Sequence, residues 1–319
     1  MNSSFSLKNP VFIRFKKFSI TSYGIYFAIG FFIYLQSYYH LLILFNIETT
    51  PSESLSIGII QAVFFIIGTK LLRVIYSIRL FKQDPIAVLR KNGNSFYGGV
   101  FGIATGTYII SSLYTRIPWI TLLDIAFLSL PLFQIFIRLG CASYGCCYGH
   151  LYSGPTSITY HDPLSLAYRR VGSMPIHASQ LYSVSKNIFL FFINISIFRL
   201  SPYPGVAIAT WFCIYPTLRF FVDFTRASEK SKTLWKLRTS QVISSLLFIL
   251  SIALLFSIKK EGPYSIGTDL LPSLLTSFFK ILFALPSFLL CALAFGISFV
   301  AHQHNSELST SKIINRINL

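Results

Sequence analysis

Charge is scarce in this chain. Only 12% of its 319 residues are charged and only 10 are acidic, against about a quarter charged in a soluble domain. It has no acidic or low-complexity tract, which excludes a disordered scaffold. A soluble enzyme is excluded too, because the apolar runs would cover its surface. The ten-residue alternation of an outer-membrane barrel is missing. No small-residue cleavage site follows the first apolar run, so that run reads as a retained helix and not a signal peptide. No internal repeat is visible. The five cysteines contain no C-x2-C pair.

Long apolar segments are what the chain does have. Hydrophobic residues make up 53% of it, with 32 Phe and 18 Tyr. A spanning helix needs about 20 mostly apolar residues. Eight segments qualify: 20–39, 55–78, 97–115, 119–137, 180–198, 204–222, 240–258 and 281–300. The expected fold is an all-α polytopic membrane protein. Its parts are a basic N-terminal segment at 1–19, a seven-helix membrane body at 20–258, and a C-terminal stretch at 259–319 with a linker, an eighth transmembrane helix and a polar tail.

Bases outnumber acids by 27 to 10, a net charge of +17. The bases lie in short loops between spans, so the expected partner is an anionic lipid head group and not nucleic acid. With eight helices, 22 of the 27 bases fall on one face. The positive-inside rule puts that face in the cytoplasm.

Four clusters carry candidate chemistry. Residues 138–179 begin Arg138-Leu-Gly-Cys-Ala-Ser-Tyr-Gly-Cys-Cys-Tyr-Gly149 and end at His177-Ala-Ser-Gln-Leu-Tyr182. An arginine at a helix end can simply snorkel, but an ionisable residue at membrane depth is a site hypothesis by default. The sixth span ends in Tyr215-Pro-Thr-Leu-Arg-Phe-Phe-Val-Asp-Phe-Thr-Arg226. There Arg219, Asp223 and Arg226 share one helical face, either as a structural ion pair or as a braced anion site. Tyr97-Gly98-Gly99 opens the third span, where small residues also serve helix packing. Ser22-Tyr23-Gly24 lies in the first span. By topology Tyr23, Tyr97, Arg138, His177 and Arg219 all fall on the face with 22 bases, which points to one polar cavity lined by arginines.

In this order, and with Gln241 opening the seventh span, these motifs resemble the prolipoprotein diacylglyceryl transferase family over about 20–258. The resemblance implies a seven-helix transferase body in the bacterial cytoplasmic (inner) membrane. It implies transfer of diacylglyceryl from phosphatidylglycerol to the lipobox cysteine thiol of a prolipoprotein, with no metal or soluble cofactor. Arg138 and Arg219 would then neutralise the phosphate leaving group, and Asp223 would orient Arg219 or Arg226. Tyr23, Gly98, Gly99, Gly140, Cys141, Cys146, Gln180 and Tyr182 would shape the substrate site. The family also presents this face outward, against the charge rule.

The sequence departs from the family pattern at several positions. Tyr97 stands where the family has a histidine proposed as general base, and tyrosine, with a reference pKa of about 10, is a weak base. His177, His150 or His161 could replace it. Cys141 and Cys146 stand at Asn and Glu positions of the signature. Cys141, Cys146 and Cys147 have three readings: with His150, a zinc site, for which a vicinal pair is awkward, a disulfide, or a reactive thiolate near Arg138. A related transferase with another acceptor, or a non-catalytic anionic-lipid binding or transport protein, remains the alternative function.

Overall fold

A computed structural model describes residues 5–6, 11–14, 19–85, 96–114, 117–227, 233–234, 237–257, 263–264, 276–277 and 286. The expected eighth span at 281–300 and the tail lie outside these, apart from residue 286. The helices are α1 (Ser22–Leu44), α2 (Pro51–Tyr76), α3 (Ile78–Gln83), α4 (Phe96–Leu113), α5 (Trp119–Tyr144), α6 (Leu166–Val171), α7 (Ser179–Leu200), α8 (Val206–Thr225) and α9 (Thr239–Ser257). Six of them, α1, α2, α4, α5, α7 and α8, are long and apolar enough to cross a membrane. The seventh expected span is α9, apolar over Ser240–Ala253.

Local signals set the helix ends. Thr21 caps α1, its Oγ1 accepting from the Gly24 N–H at 3.2 Å. Thr50 and Glu53 form a reciprocal capping box on α2, with Pro51 in the first turn. Gly145, at φ 76°, stops α5 in the left-handed conformation that glycine adopts freely. The cap of α8 comes from elsewhere in the chain. Asp124 of α5 accepts from the Gly205 N–H at 2.7 Å and the Ile208 N–H at 3.1 Å, and Tyr264 Oη donates to it at 3.2 Å. A buried helix start in an apolar layer has no water to satisfy its N–H groups, so the carboxylate supplies that role.

Helix α1 packs chiefly on α5, α2 on α4, and α9 on α8, while α7 lies against both α5 and α8. The centre is aromatic. Phe133 of α5 meets Phe27 edge-on at 5.0 Å and Phe65 at 5.3 Å, a preferred geometry for quadrupolar rings. The α2–α4 seam is closed by glycines. A Cβ on Gly98 would run into the Gly68 carbonyl, and one on Gly102 into the Phe64 carbonyl.

Several expected boundaries move; the first span runs to Leu44 and not to residue 39, and the second starts at Pro51 and not at 55. The fourth span runs to Tyr144 and not to residue 137, and the sixth to Thr225 and not to 222. The polar residues there face other helices, so the backbone stays helical past the apolar run. Five of the 22 bases counted for the loops lie inside the spanning helices α2, α5, α7 and α8: Lys70, Arg73, Arg138, Lys186 and Arg219.

A polar cap covers this end of the bundle. Strand β2 (Ser157–Thr159) pairs in parallel with β1 (Phe5–Ser6) and antiparallel with β3 (Ile176–His177). The segment after α5 threads between β3 and the end of α8. The His150 N–H donates to the Thr225 carbonyl at 3.0 Å, the Ala227 N–H to the Tyr148 carbonyl at 3.0 Å, and the His177 N–H to the His150 carbonyl at 2.9 Å.

Candidate functional site

Helices α1, α4, α5, α7 and α8 bring the chemistry-bearing residues together beneath this cap. Arg219 sits one turn before Asp223 on α8, and its Nη2 lies 2.9 Å from Asp223 Oδ1. Arg226, at the C-cap, reaches the same oxygen at 3.5 Å. The Arg219 and Asp223 side chains are only 10% and 1% exposed. Arg219 Nη1 and Asp223 Oδ2 are buried without a hydrogen-bond partner among the described residues. The ion pair is therefore present, and the brace leaves one guanidinium edge without a hydrogen-bond partner among the described residues.

Lys186 is the residue that sequence reasoning missed. It counts among the 22 loop bases of the charge rule, yet it is buried inside α7. Its Nζ lies 3.6 Å from the centre of the Tyr215 ring, a cation–π contact. Arg138, Arg219, Asp223 and Arg226 are all within its electrostatic range. Its sequence signal was an apolar helix carrying a lone lysine beside Asn187 and Asn194. Arg138 projects from α5 within range of Tyr23, Tyr215, Cys141 and Cys147. Among the described residues, neither Arg138 nor Lys186 pairs with a carboxylate. Three arginines and the Lys186 amine thus gather about a single acid, and at membrane depth an uncompensated charge is costly unless a ligand or water supplies the counter-charge.

Tyrosines form the walls. Tyr97 Oη is 3.1 Å from Ser244 Oγ of α9, and the Tyr97 ring stands edge-on to Tyr215 at 6.1 Å. Tyr215 also stacks on Trp211 at 4.3 Å. Tyr23 of α1 lies within range of Arg138 and of the three thiols. Gly140 lets α5 approach that helix, since a Cβ there would stand 3.2 Å from the Tyr23 Cα.

The three cysteines converge. Cys141, Cys146 and Cys147 place their sulfur atoms all within 4.8 Å of one another. Cys147 has a left-handed backbone, φ 59°, a costly conformation for a residue with a side chain. Together with the left-handed Gly145, it folds the chain back onto the end of α5. Gln180 fixes this turn, its Nε2 donating to the Cys146 carbonyl at 2.8 Å. Hydrogen bonds from Cys141 and Cys146, helped by the charges of Arg226 and Arg138, hold the Cys147 thiol well below the usual range.

Other expected site residues have different settings. Gly98 and Gly99 face α2, where a Cβ would meet Gly68 and the Phe65 ring. Their contacts are therefore helix packing. His177 and Tyr182 lie in the cap. Tyr182 Oη is 2.6 Å from Thr156 Oγ1 and 3.4 Å from His177 Nδ1. The His177 ring stacks on Tyr152 at 3.9 Å. Burial and the nearby His150 keep its imidazole below its ordinary pKa. No hydrogen bond or ion pair joins His177 to the arginine cluster among the described residues. His150 and His161 are also on cap loops.

Comparison with known proteins meets the same residues. Residues 10–257 match the family described as Prolipoprotein diacylglyceryl transferase. A phosphatidylglycerol–prolipoprotein diacylglyceryl transferase 2 of Clostridium perfringens is 31% identical over 208 residues, covering 63% of this chain and 77% of the relative. The enzyme of that name from Dehalococcoides mccartyi is 28% identical over 244 residues, 76% of this chain and 91% of the relative. One from Chlorobaculum tepidum is 27% identical over 245 residues, 70% and 80% respectively. The matched stretch contains the arginine cluster, its tyrosine walls and the cysteine turn, and the chain belongs to the prolipoprotein diacylglyceryl transferase family.

Proposed function

We propose that this chain moves the diacylglyceryl group of phosphatidylglycerol to the lipobox cysteine thiol of a prolipoprotein in a bacterial inner membrane. One observation carries the reading: Arg138, Lys186, Arg219 and Arg226 surround the single carboxylate of Asp223 at the end of the spans. Such a cluster fits one phosphodiester, whose charge grows as glycerol phosphate departs. Guanidinium forks match phosphate oxygens, and donors fixed beforehand where charge develops lower the barrier. Arg219 meets the phosphate through its unused edge, and Asp223 positions it. Arg138 and Lys186 bind the same group from α5 and α7, and Tyr97 and Tyr23 line the wall.

The test is a transfer assay with purified protein, phosphatidylglycerol vesicles and a lipobox peptide, read by mass spectrometry. A diacylglyceryl adduct on the peptide cysteine, lost in Arg138→Ala, is expected. No adduct from folded, lipid-bound protein overturns the reading.

A further inference from the structure

The arginine cluster accounts for the donor half of this reaction but names no base for the acceptor half among the described residues weighed above. Asp223 is engaged by two arginines. Tyr97 is bound to Ser244, and His150, His161 and His177 are on the cap. A free thiol is a poor nucleophile, since the thiolate is the attacking form.

We infer that Cys141, Cys146 and Cys147 form a three-thiolate site for a zinc ion whose fourth position takes the lipobox cysteine as thiolate. This rests on the transferase reading above. The geometry comes first. Tetrahedral zinc holds sulfurs at ~2.3 Å, which sets them about 3.8 Å apart. The three sulfur atoms here are within 4.8 Å, so a contraction of about 1 Å completes the set. The vicinal pair, awkward when only spacing is considered, is turned inward by the left-handed backbone at Cys147. That strain in a non-glycine residue needs a compensating contact, and Gln180 holds the turn from the neighbouring carbonyl.

Charge also favours zinc. A bare dication beside Arg138 and Arg226 would be repelled. Three thiolates around zinc carry one net negative charge, which those arginines complement. An all-sulfur set selects a thiophilic ion. Cys141 is buried while Cys146 and Cys147 are half-buried, so the fourth position has an open side.

The chemistry balances without an oxidant. The acceptor thiol binds zinc as thiolate and its proton passes to water, since a coordinated thiol is deprotonated outright. The sulfur attacks the glyceryl carbon that bears the phosphate. The carbon–sulfur bond forms as the carbon–oxygen bond breaks, and the electron pair leaves on glycerol phosphate beside Arg219. The thioether product is neutral, binds zinc weakly and departs.

The experiment measures metal before activity. Full-length protein from zinc-supplemented cells is assayed for zinc, then exchanged with Co(II) and titrated with the lipobox peptide or its Cys→Ser form. We expect about one zinc per chain, released from the unmutated protein by an organomercurial. Zinc should be lost in Cys141→Ser and Cys147→Ser but retained in Cys213→Ser. The cysteine peptide should alter the cobalt spectrum and the serine peptide should not. Zinc far below one per chain with the thiols free, a disulfide within the trio, or a spectrum blind to the cysteine peptide overturns the inference. Undiminished transfer by zinc-free protein removes the acceptor role but leaves the transferase reading intact. Zinc bound and peptide sensed without any adduct does the reverse.

Discussion

Replacing Asp223 with Asn tests the arginine cluster most sharply. The substitution keeps the shape and removes the one negative charge. Asp223 is 1% exposed and Arg219 10%, so the pair belongs with buried ion pairs and not with surface ones worth under about 1 kcal/mol. Breaking a buried pair from one side costs about 3–5 kcal/mol, mostly from the cation left uncompensated. That cost should appear as a lower unfolding temperature in neutral detergent. A phosphodiester returns the missing charge, so phosphatidylglycerol should restore more stability to the variant than to the wild type. A ligand at 100 times its Kd contributes about 2.7 kcal/mol. Turnover should still fall about 100-fold, because Arg219 has lost the group that aims it. Asp223→Glu should recover much of both. The assays are thermal unfolding with and without anionic lipid, and single-turnover transfer. An Asn variant with wild-type stability, lipid response and turnover would refute the reasoning and reduce the cluster to helix packing.

Three further outcomes follow from other residues. Lys186→Met should raise the KM for phosphatidylglycerol about tenfold while changing kcat less, since one phosphate contact in four is lost; titrating the lipid at fixed peptide checks this. Asp124→Ala should cost about 2 kcal/mol in thermal unfolding, the upper end for a lost helix cap, with an unchanged KM for lipid. Gly102→Val should prevent accumulation of folded protein, because its Cβ would enter the Phe64 carbonyl and backbone cannot yield as a side chain can; size-exclusion of the detergent extract reads it.

The sequence carried the spans and the arginine landmarks plainly, because apolar runs and motif order survive without coordinates. Topology puts Tyr23, Tyr97, Arg138, His177 and Arg219 on one face; Tyr23, Tyr97, Arg138 and Arg219 do come within range of one another, whereas His177 lies in the cap against Tyr152. What it obscured depends on burial and on backbone sign. Lys186 read as an interfacial charge because a lysine between polar neighbours usually is one; only the Tyr215 ring beneath it shows otherwise. The convergence of Cys146 and Cys147 needs a positive φ at a cysteine, which no residue preference announces. Span ends were set too early at residues 137 and 222 because hydropathy falls where polar residues face protein instead of lipid.

Asp124 bears on how the bundle is assembled. Its partners, the Gly205 and Ile208 N–H groups, are 81 and 84 residues further along the chain. Synthesis therefore delivers α5 to the bilayer well before the group that its carboxyl will cap. Until α8 arrives, this half of the bundle holds an acid whose backbone donors have yet to reach it, and α8 enters with its Gly205 and Ile208 N–H groups still to be capped. The two ends meet across the bundle, and Tyr264 Oη then adds a third donor to the acid. Their meeting is a late checkpoint in biogenesis, and the arginines of α8 reach α5 and α7 only in chains that have passed it.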